Sequence, residues 1–264
     1  KSRNTMSARI GNIAGIDNIK ALSEKVGIKI SSSNPQIFLG NVTSDLQSIT
    51  SAYTVFPNYG RRAPSFTIHS IDDINGKTFY KAAAQTYPAV SSGPITMTCM
   101  ALEKVMSKHG TGSGSKALGY KKQVGGKTGT TDDSKDTWFL GFSSRVTCGV
   151  WVGLDKPKTI LKGAYASNIT LPIWTKIMQE CEKFGYTAEN MIPPIPMSEI
   201  NLCRISGKRA SKECIRSGNS YLEKIPYDSI PQDYCQIHSH IGLSKNREKK
   251  PERLKVLKKL FQSN

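Results

Sequence analysis

Between residues 123 and 154 three runs of strand-forming residues follow one another, 123–131, 137–143 and 146–154, across links too short for a crossover. Parallel neighbours need a connection of a dozen or more residues. Asp132-Asp133-Ser134 and Ser143-Ser144 are instead turn-forming links that bring a chain straight back. The stretch is therefore expected to be an antiparallel meander that the rest of the chain must cover. Helical patterns supply the cover. Asp17 can cap a helix carrying Ile19, Leu22 and Val26 and stopped by Gly27, and residues 28–40 read as a loop. Thr43 can cap a helix through Leu46, Ile49, Tyr53 and Phe56 that ends near Gly60. A further helix opens at Pro94, carries Ile95, Cys99, Leu102 and Val105/Met106, and stops at Gly110; the last covers 171–184, with Ile173, Ile177, Met178 and Cys181 on one face. Runs 66–72 and 77–81 flank Asn75-Gly76, a dipeptide suited to a tight hairpin. The fold class expected is α+β, an antiparallel sheet covered by helices. Pro193, Pro194 and Pro196 mark a boundary, giving a main domain over 1–195 and a Cys-containing extension with a basic tail over 196–264.

The first run of the meander contains Gly126-Lys127-Thr128-Gly129-Thr130. Strand interiors avoid glycine, which has nothing to pack, so two glycines around Lys-Thr mean that something approaches the backbone closely. Lys127 supplies a fixed positive charge. Thr128 and Thr130 can present hydroxyls on one face, because strand side chains alternate. Together these groups can hold a carboxylate while an extended peptide adds to the strand edge. A phosphate-binding loop is excluded. It needs glycine where Lys121 stands, and a helix after Thr128 where the residues read as strand.

Lys127-Thr128-Gly129 resembles the Lys-Thr-Gly box of penicillin-binding proteins and serine β-lactamases. The surroundings are similar to bifunctional (class A) penicillin-binding proteins: 124–131, Asp136-Thr137-Trp138-Phe139-Leu140-Gly141, Val150-Trp151-Val152-Gly153-Leu154-Asp155 and Pro172-Ile173-Trp174. Upstream, 102–112 and Ala52-Tyr53-Thr54-Val55-Phe56-Pro57-Asn58-Tyr59-Gly60 resemble the family as well, so the likeness runs over about residues 1–195. Ser2-Arg3-Asn4 fits the family's Ser-x-Asn box, which has weight only through its order in the chain. The resemblance implies a peptidoglycan DD-transpeptidase that passes through an acyl-serine. Ser2 would relay a proton to the leaving amine, Asn4 would bind the substrate amide, and the Thr130 amide would be an oxyanion donor. Its implied partners are stem peptides ending in D-Ala-D-Ala and β-lactams, with no cofactor and no metal. It implies the periplasmic face of the inner membrane, reached through an anchor upstream of Lys1. The family's nucleophilic Ser-x-x-Lys should precede Ser2. The match Ser113-Gly-Ser-Lys116 lies among glycines that disfavour the buried helix such a serine opens. The chain is accordingly expected to be a fragment, inactive and poorly soluble alone, or a non-catalytic remnant.

The formal net charge of +17 suits anionic partners, yet no nucleic-acid-binding motif accompanies it, and aromatic residues fall at core-like positions. From Ser244 onward the chain is denser in Lys and Arg. Leu254, Leu257, Leu260 and Phe261 could line one side of a short helix there, although a solvated tail is the plainer reading. Cys203, Cys214 and Cys235 cluster late, followed by His238; they lack the paired Cys-x-x-Cys knuckles of a zinc site, and close cysteines in an exported protein favour disulfides. Part of this extension, Cys203-Arg-Ile-Ser206-Gly207 with Cys214, Pro231, Cys235 and His238, is similar to C-terminal extensions of some Gram-negative class A members, and that likeness suggests a Cys203–Cys214 bridge in an oxidising periplasm. Cys99, Cys148 and Cys181 read as small buried apolar residues. His69, His109, His238 and His240 read as structural or exposed, Trp138 and Trp151 as sheet–helix packing, and Asp132, Asp133 and Asp136 as turn residues.

Overall fold

The computed structural model describes residues 2–238; the basic segment with Leu254, Leu257, Leu260 and Phe261 lies outside them, as does His240. In chain order the elements are α1 (Asn4–Ala14), α2 (Ile16–Lys25), α3 (Leu46–Tyr53), β1 (Arg61–Arg62), β2 (Ser70–Asp72), β3 (Thr78–Lys81), β4 (Tyr87–Pro88), α4 (Ser92–Val105), α5 (Gly114–Ala117), β5 (Gly125–Thr130), β6 (Asp136–Phe142), β7 (Thr147–Gly153), α6 (Thr170–Lys183), β8 (Met197–Cys203), α7 (Lys212–Arg216) and β9 (Ser220–Pro226). They fall into two compact units. The larger runs up to Met197 and includes Pro226–Ser229; the smaller comprises Ser198–Ile225 and the chain from Ile230.

In the larger unit the meander forms as the short links dictate, with strand order β5-β6-β7 and both pairings antiparallel. Side-chain alternation along β6 gives the sheet two apolar faces. Phe139 packs with Val150, Leu171, Trp174 and Met178, which sets α6 on one face. Phe142 packs with Cys99, Tyr53, Phe56 and Leu102, which sets α3 and α4 on the other; the rings of Phe56 and Phe142 stack at 5.3 Å. The hairpin β2–β3 closes around Asn75-Gly76, where Asp73 N donates to Lys77 O at 2.8 Å and Gly76 has φ +81°.

Helix ends depart from the sequence reading for identifiable reasons. Gly15, at φ +82°, separates α1 from α2, so Asp17 falls inside the first turn of α2 instead of capping it. Asp45, not Thr43, caps α3: its carboxylate accepts Ser48 N at 2.7 Å and Ser48 Oγ at 2.6 Å. Ser91 holds the N-cap position of α4 without a side-chain hydrogen bond, and Pro94 stands within its first turn, where a missing N–H costs nothing. The Ser48 hydrogen bonds hold the Asp45 carboxyl below its unfolded value of 3.8. A depressed carboxylate stabilises above its unfolded value, and that contribution is lost as pH falls through the folded one. The urea-midpoint gap between wild type and Asp45→Ala should therefore be full near neutrality and close on acidification below pH 3.8.

In the smaller unit β8 and β9 form a two-stranded sheet, and Arg209 bridges Leu202 antiparallel and Tyr234 parallel. Its interior is built from Cys203, Cys214 and Cys235, with Ala210 packed against them. None of the six cysteines is in a disulfide, so the expected Cys203–Cys214 bridge is absent: both are buried free thiols. Cys99 is buried as expected, and burial pushes its thiol up to about 12; Cys148 and Cys181 are only half-buried.

Candidate active site

The site is built on β5, which pairs with β6 on one side only among the described residues. Thr131 N donates to Asp136 O at 3.2 Å, in register with the β5–β6 ladder. Hydrogen-bonded pairs alternate in an antiparallel ladder. Gly129 and Lys127 therefore turn their amides to β6, whereas Thr130 and Thr128 turn theirs to the open edge.

Lys127 is half-buried, and desolvation lowers its pKa from the ordinary 10.5. Its Nζ donates to Ser2 Oγ at 3.0 Å and to Thr128 O at 2.7 Å. Two segments 125 residues apart thus meet at one ammonium group. Ser2 is exposed and lies just before α1, whose N-cap is Arg3; Asn4 is the first residue of that helix and is also exposed. The helix is seated by Phe38, whose ring lies against Gly11 at a distance that a Cβ would occupy.

Thr128 and Thr130 share the other face of the strand. The Thr128 hydroxyl lies 3.0 Å from Thr111 Oγ1, and the Thr130 hydroxyl accepts the N–H of buried Ala166 at 3.1 Å. Thr111 escaped the sequence reading; its only signal was a hydroxyl residue in the glycine-rich loop just before the box. Trp138, which the sequence offers as cleft lining or as sheet–helix packing, lies beside the box. It pairs with Gly129 on the Lys127 face, is half-buried, and contacts Trp151 at 6.1 Å. Trp151 is 37% exposed, so this pair is not the sheet–helix packing expected; the fully buried tryptophan is Trp174.

Two other expectations change. The group that approaches Gly126 closely is the protein's own Phe139 ring, 2.7 Å from where a Cβ would lie; its cross-strand partner Gly141 gives the same room to Trp174. Glycine at 126 therefore serves core packing and not a ligand. The segment after Ser113 does form a helix, the single turn α5, despite its glycines. Lys116 is exposed there, unlike the desolvated lysine that can take a serine proton. Asp132–Ser134 form a tight turn with Asp133 at φ +59°, as turn residues should.

A three-stranded meander with helices on both faces and a Lys-Thr-Gly edge strand defines a domain of the penicillin-binding transpeptidase fold. No family model matches the sequence. Penicillin-binding protein 1A of Rickettsia prowazekii is 31% identical over 79% of this chain and 29% of its own length. The crystal structure of penicillin-binding protein 1A from Haemophilus influenzae superposes with a TM-score of 0.76, at 21% identity, over 89% of this chain and 40% of that one. The D,D-transpeptidase domain of a peptidoglycan glycosyltransferase from Eggerthella lenta gives 0.55 at 18% identity, over 70% of this chain and 52% of that one. The chain belongs to the family of the penicillin-binding proteins 1A, and its fold is that of a D,D-transpeptidase domain. It spans about a quarter to a third of the length of the curated relatives it matches.

Proposed function

We propose that this chain supplies the substrate-gripping half of a peptidoglycan DD-transpeptidase site, which also accepts β-lactams, on the periplasmic face of a bacterial membrane. The observation that carries the reading is the 3.0 Å contact of Lys127 Nζ with Ser2 Oγ beside the open edge of β5. An extended stem peptide ending in D-Ala-D-Ala would pair with that edge through the outward amides of Thr128 and Thr130. Lys127 and the Thr128 hydroxyl would hold its terminal carboxylate. Ser2 would pass a proton to the departing amine, with Lys127 keeping its hydroxyl oriented, and Asn4 would bind the penultimate amide. The acylated serine and its lysine would come from a buried Ser-x-x-Lys helix, which Ser113 and Lys116 do not provide. The Thr130 amide would be one of two oxyanion donors, each worth a few kcal/mol of transition-state stabilisation. A non-catalytic relative keeping this grip is the second reading, favoured by the exposure of Lys116.

A fluorescent penicillin separates the cases. Residues 1–264 are expected to take no stable covalent label, and a chain extended to include a Ser-x-x-Lys helix is expected to take one. Stable labelling of Ser113 would sink the assignment. The pH profile adds a second check. Desolvation lowers the Lys127 pKa, so the charged form is lost earlier than for a free lysine, and labelling of the extended chain should fall on an alkaline limb below 10.5. Lys127→Arg should move that limb upward, since a guanidinium stays charged.

A further inference from the structure

We propose that Cys203, Cys214, Cys235 and His238 form a structural zinc site at the centre of the smaller unit. Their ligand atoms all lie within 4.8 Å of one another, and all four residues are buried. His238 Nδ1 is 3.6 Å from Cys203 Sγ, 3.1 Å from Cys214 Sγ and 3.4 Å from Cys235 Sγ. Tetrahedral zinc with bonds of about 2.3 Å to sulfur and about 2.0 Å to nitrogen holds its S and N ligands roughly 3.5 Å apart. The observed spacing is that of a closed Cys3His shell, with no position left for water or substrate, so the role is structural and not catalytic.

Two independent features support a thiolate cluster. Cys203 Sγ accepts the backbone N–H groups of Ile205 and Ser206, each at 3.4 Å, and Cys214 Sγ lies 3.3 Å from Ser211 Oγ. Such donors orient a metal-bound sulfur and offset its charge. The second feature is what the unit lacks. Among its described residues the buried apolar side chains besides the three cysteines are Leu202 and Ile225. Among the described residues so little apolar burial favours a cross-link or a metal. A disulfide would satisfy two of the three cysteines and strand a thiol beside a buried imidazole; one zinc ion satisfies all four groups. On binding, three thiols lose their protons to solvent and neutral His238 donates its Nδ1 lone pair, giving a complex of net charge −1. The inference revises the expectation of no metal: Cys235 and His238 form a half-knuckle, and β8, α7 and the Arg209 bridges bring the other two ligands to it.

The test is elemental analysis of the full chain purified without chelator. One zinc per chain is expected. Cys214→Ser and His238→Ala should each lower that content severalfold, and Cys181→Ser, outside the cluster, should leave it unchanged. Because the ligand variants can misfold, cobalt is also titrated into wild-type chain stripped of metal. Saturation at one equivalent, with the intense visible bands of tetrahedral cobalt–thiolate, supports the site. Wild-type chain without zinc and with a weak octahedral cobalt spectrum, or a Cys203–Cys214 disulfide found by non-reducing peptide mapping of that chain, would overturn it.

Discussion

Lys127→Met in the penicillin-acylatable chain is expected to slow acylation on the order of a hundredfold without lowering the thermal midpoint. A charge-assisted hydrogen bond contributes about 1.5–3 kcal/mol, and each 1.36 kcal/mol is about tenfold in rate. Methionine keeps the length and volume of the lysine stem while removing a charge that is already partly desolvated. The folded state therefore loses little, and the loss falls on the bound anion. Second-order labelling rates with a fluorescent penicillin, measured beside thermal melts, check both halves. A variant that labels at the wild-type rate would remove Lys127 from the site.

Trp174→Ala is expected to cost about 3–5 kcal/mol of stability in the larger unit, the range for truncating a buried tryptophan. Trp174 is fully buried on α6. Its ring lies 5.0 Å from Phe139 and 6.1 Å from Tyr120, fills the room left by Gly141, and donates Nε1 to Cys148 O at 3.1 Å. Domains are stable by only about 5–15 kcal/mol, so the variant should lose a large fraction of the unit's stability. Trp174→Phe keeps most of the volume and should recover more than half of the loss. Urea unfolding followed by circular dichroism reads the difference, and equal midpoints for Trp174→Ala and wild type would refute the assigned core.

The sheet was legible because its links are short. Turns at Asp132–Ser134 and after Ser143 permit only antiparallel neighbours, and the apolar run of β6 matches burial on both faces, whereas in β7 only Val150 is buried. Helix ends were less legible because capping is a competition among nearby side chains. Asp45 wins over Thr43 through two hydrogen bonds from Ser48, and a positive-φ glycine at position 15 moves a boundary that Asp17 seemed to set. In the candidate site, the motif drew attention to Lys127, but the job of Gly126 could not be read from it. Whether a ligand or a neighbouring ring fills the space over a strand glycine depends on register, and register placed Phe139 there. Cys203, Cys214, Cys235 and His238 could be read as neighbours in the chain, but their convergence on one point could not, because strand pairing and a single-residue bridge at Arg209 bring them together.

Esterifying the free carboxylate of a penicillin probes most directly whether Lys127 grips an anion at the β5 edge. Acylation rates of the extended chain would be measured for the acid and its methyl ester, in wild type and in Lys127→Met. If the ammonium and the carboxylate are partners, the ester should slow wild type about as much as the substitution does and slow Lys127→Met hardly further, the non-additivity of groups that act on each other. Losses that simply multiply would mean that the carboxylate is held elsewhere.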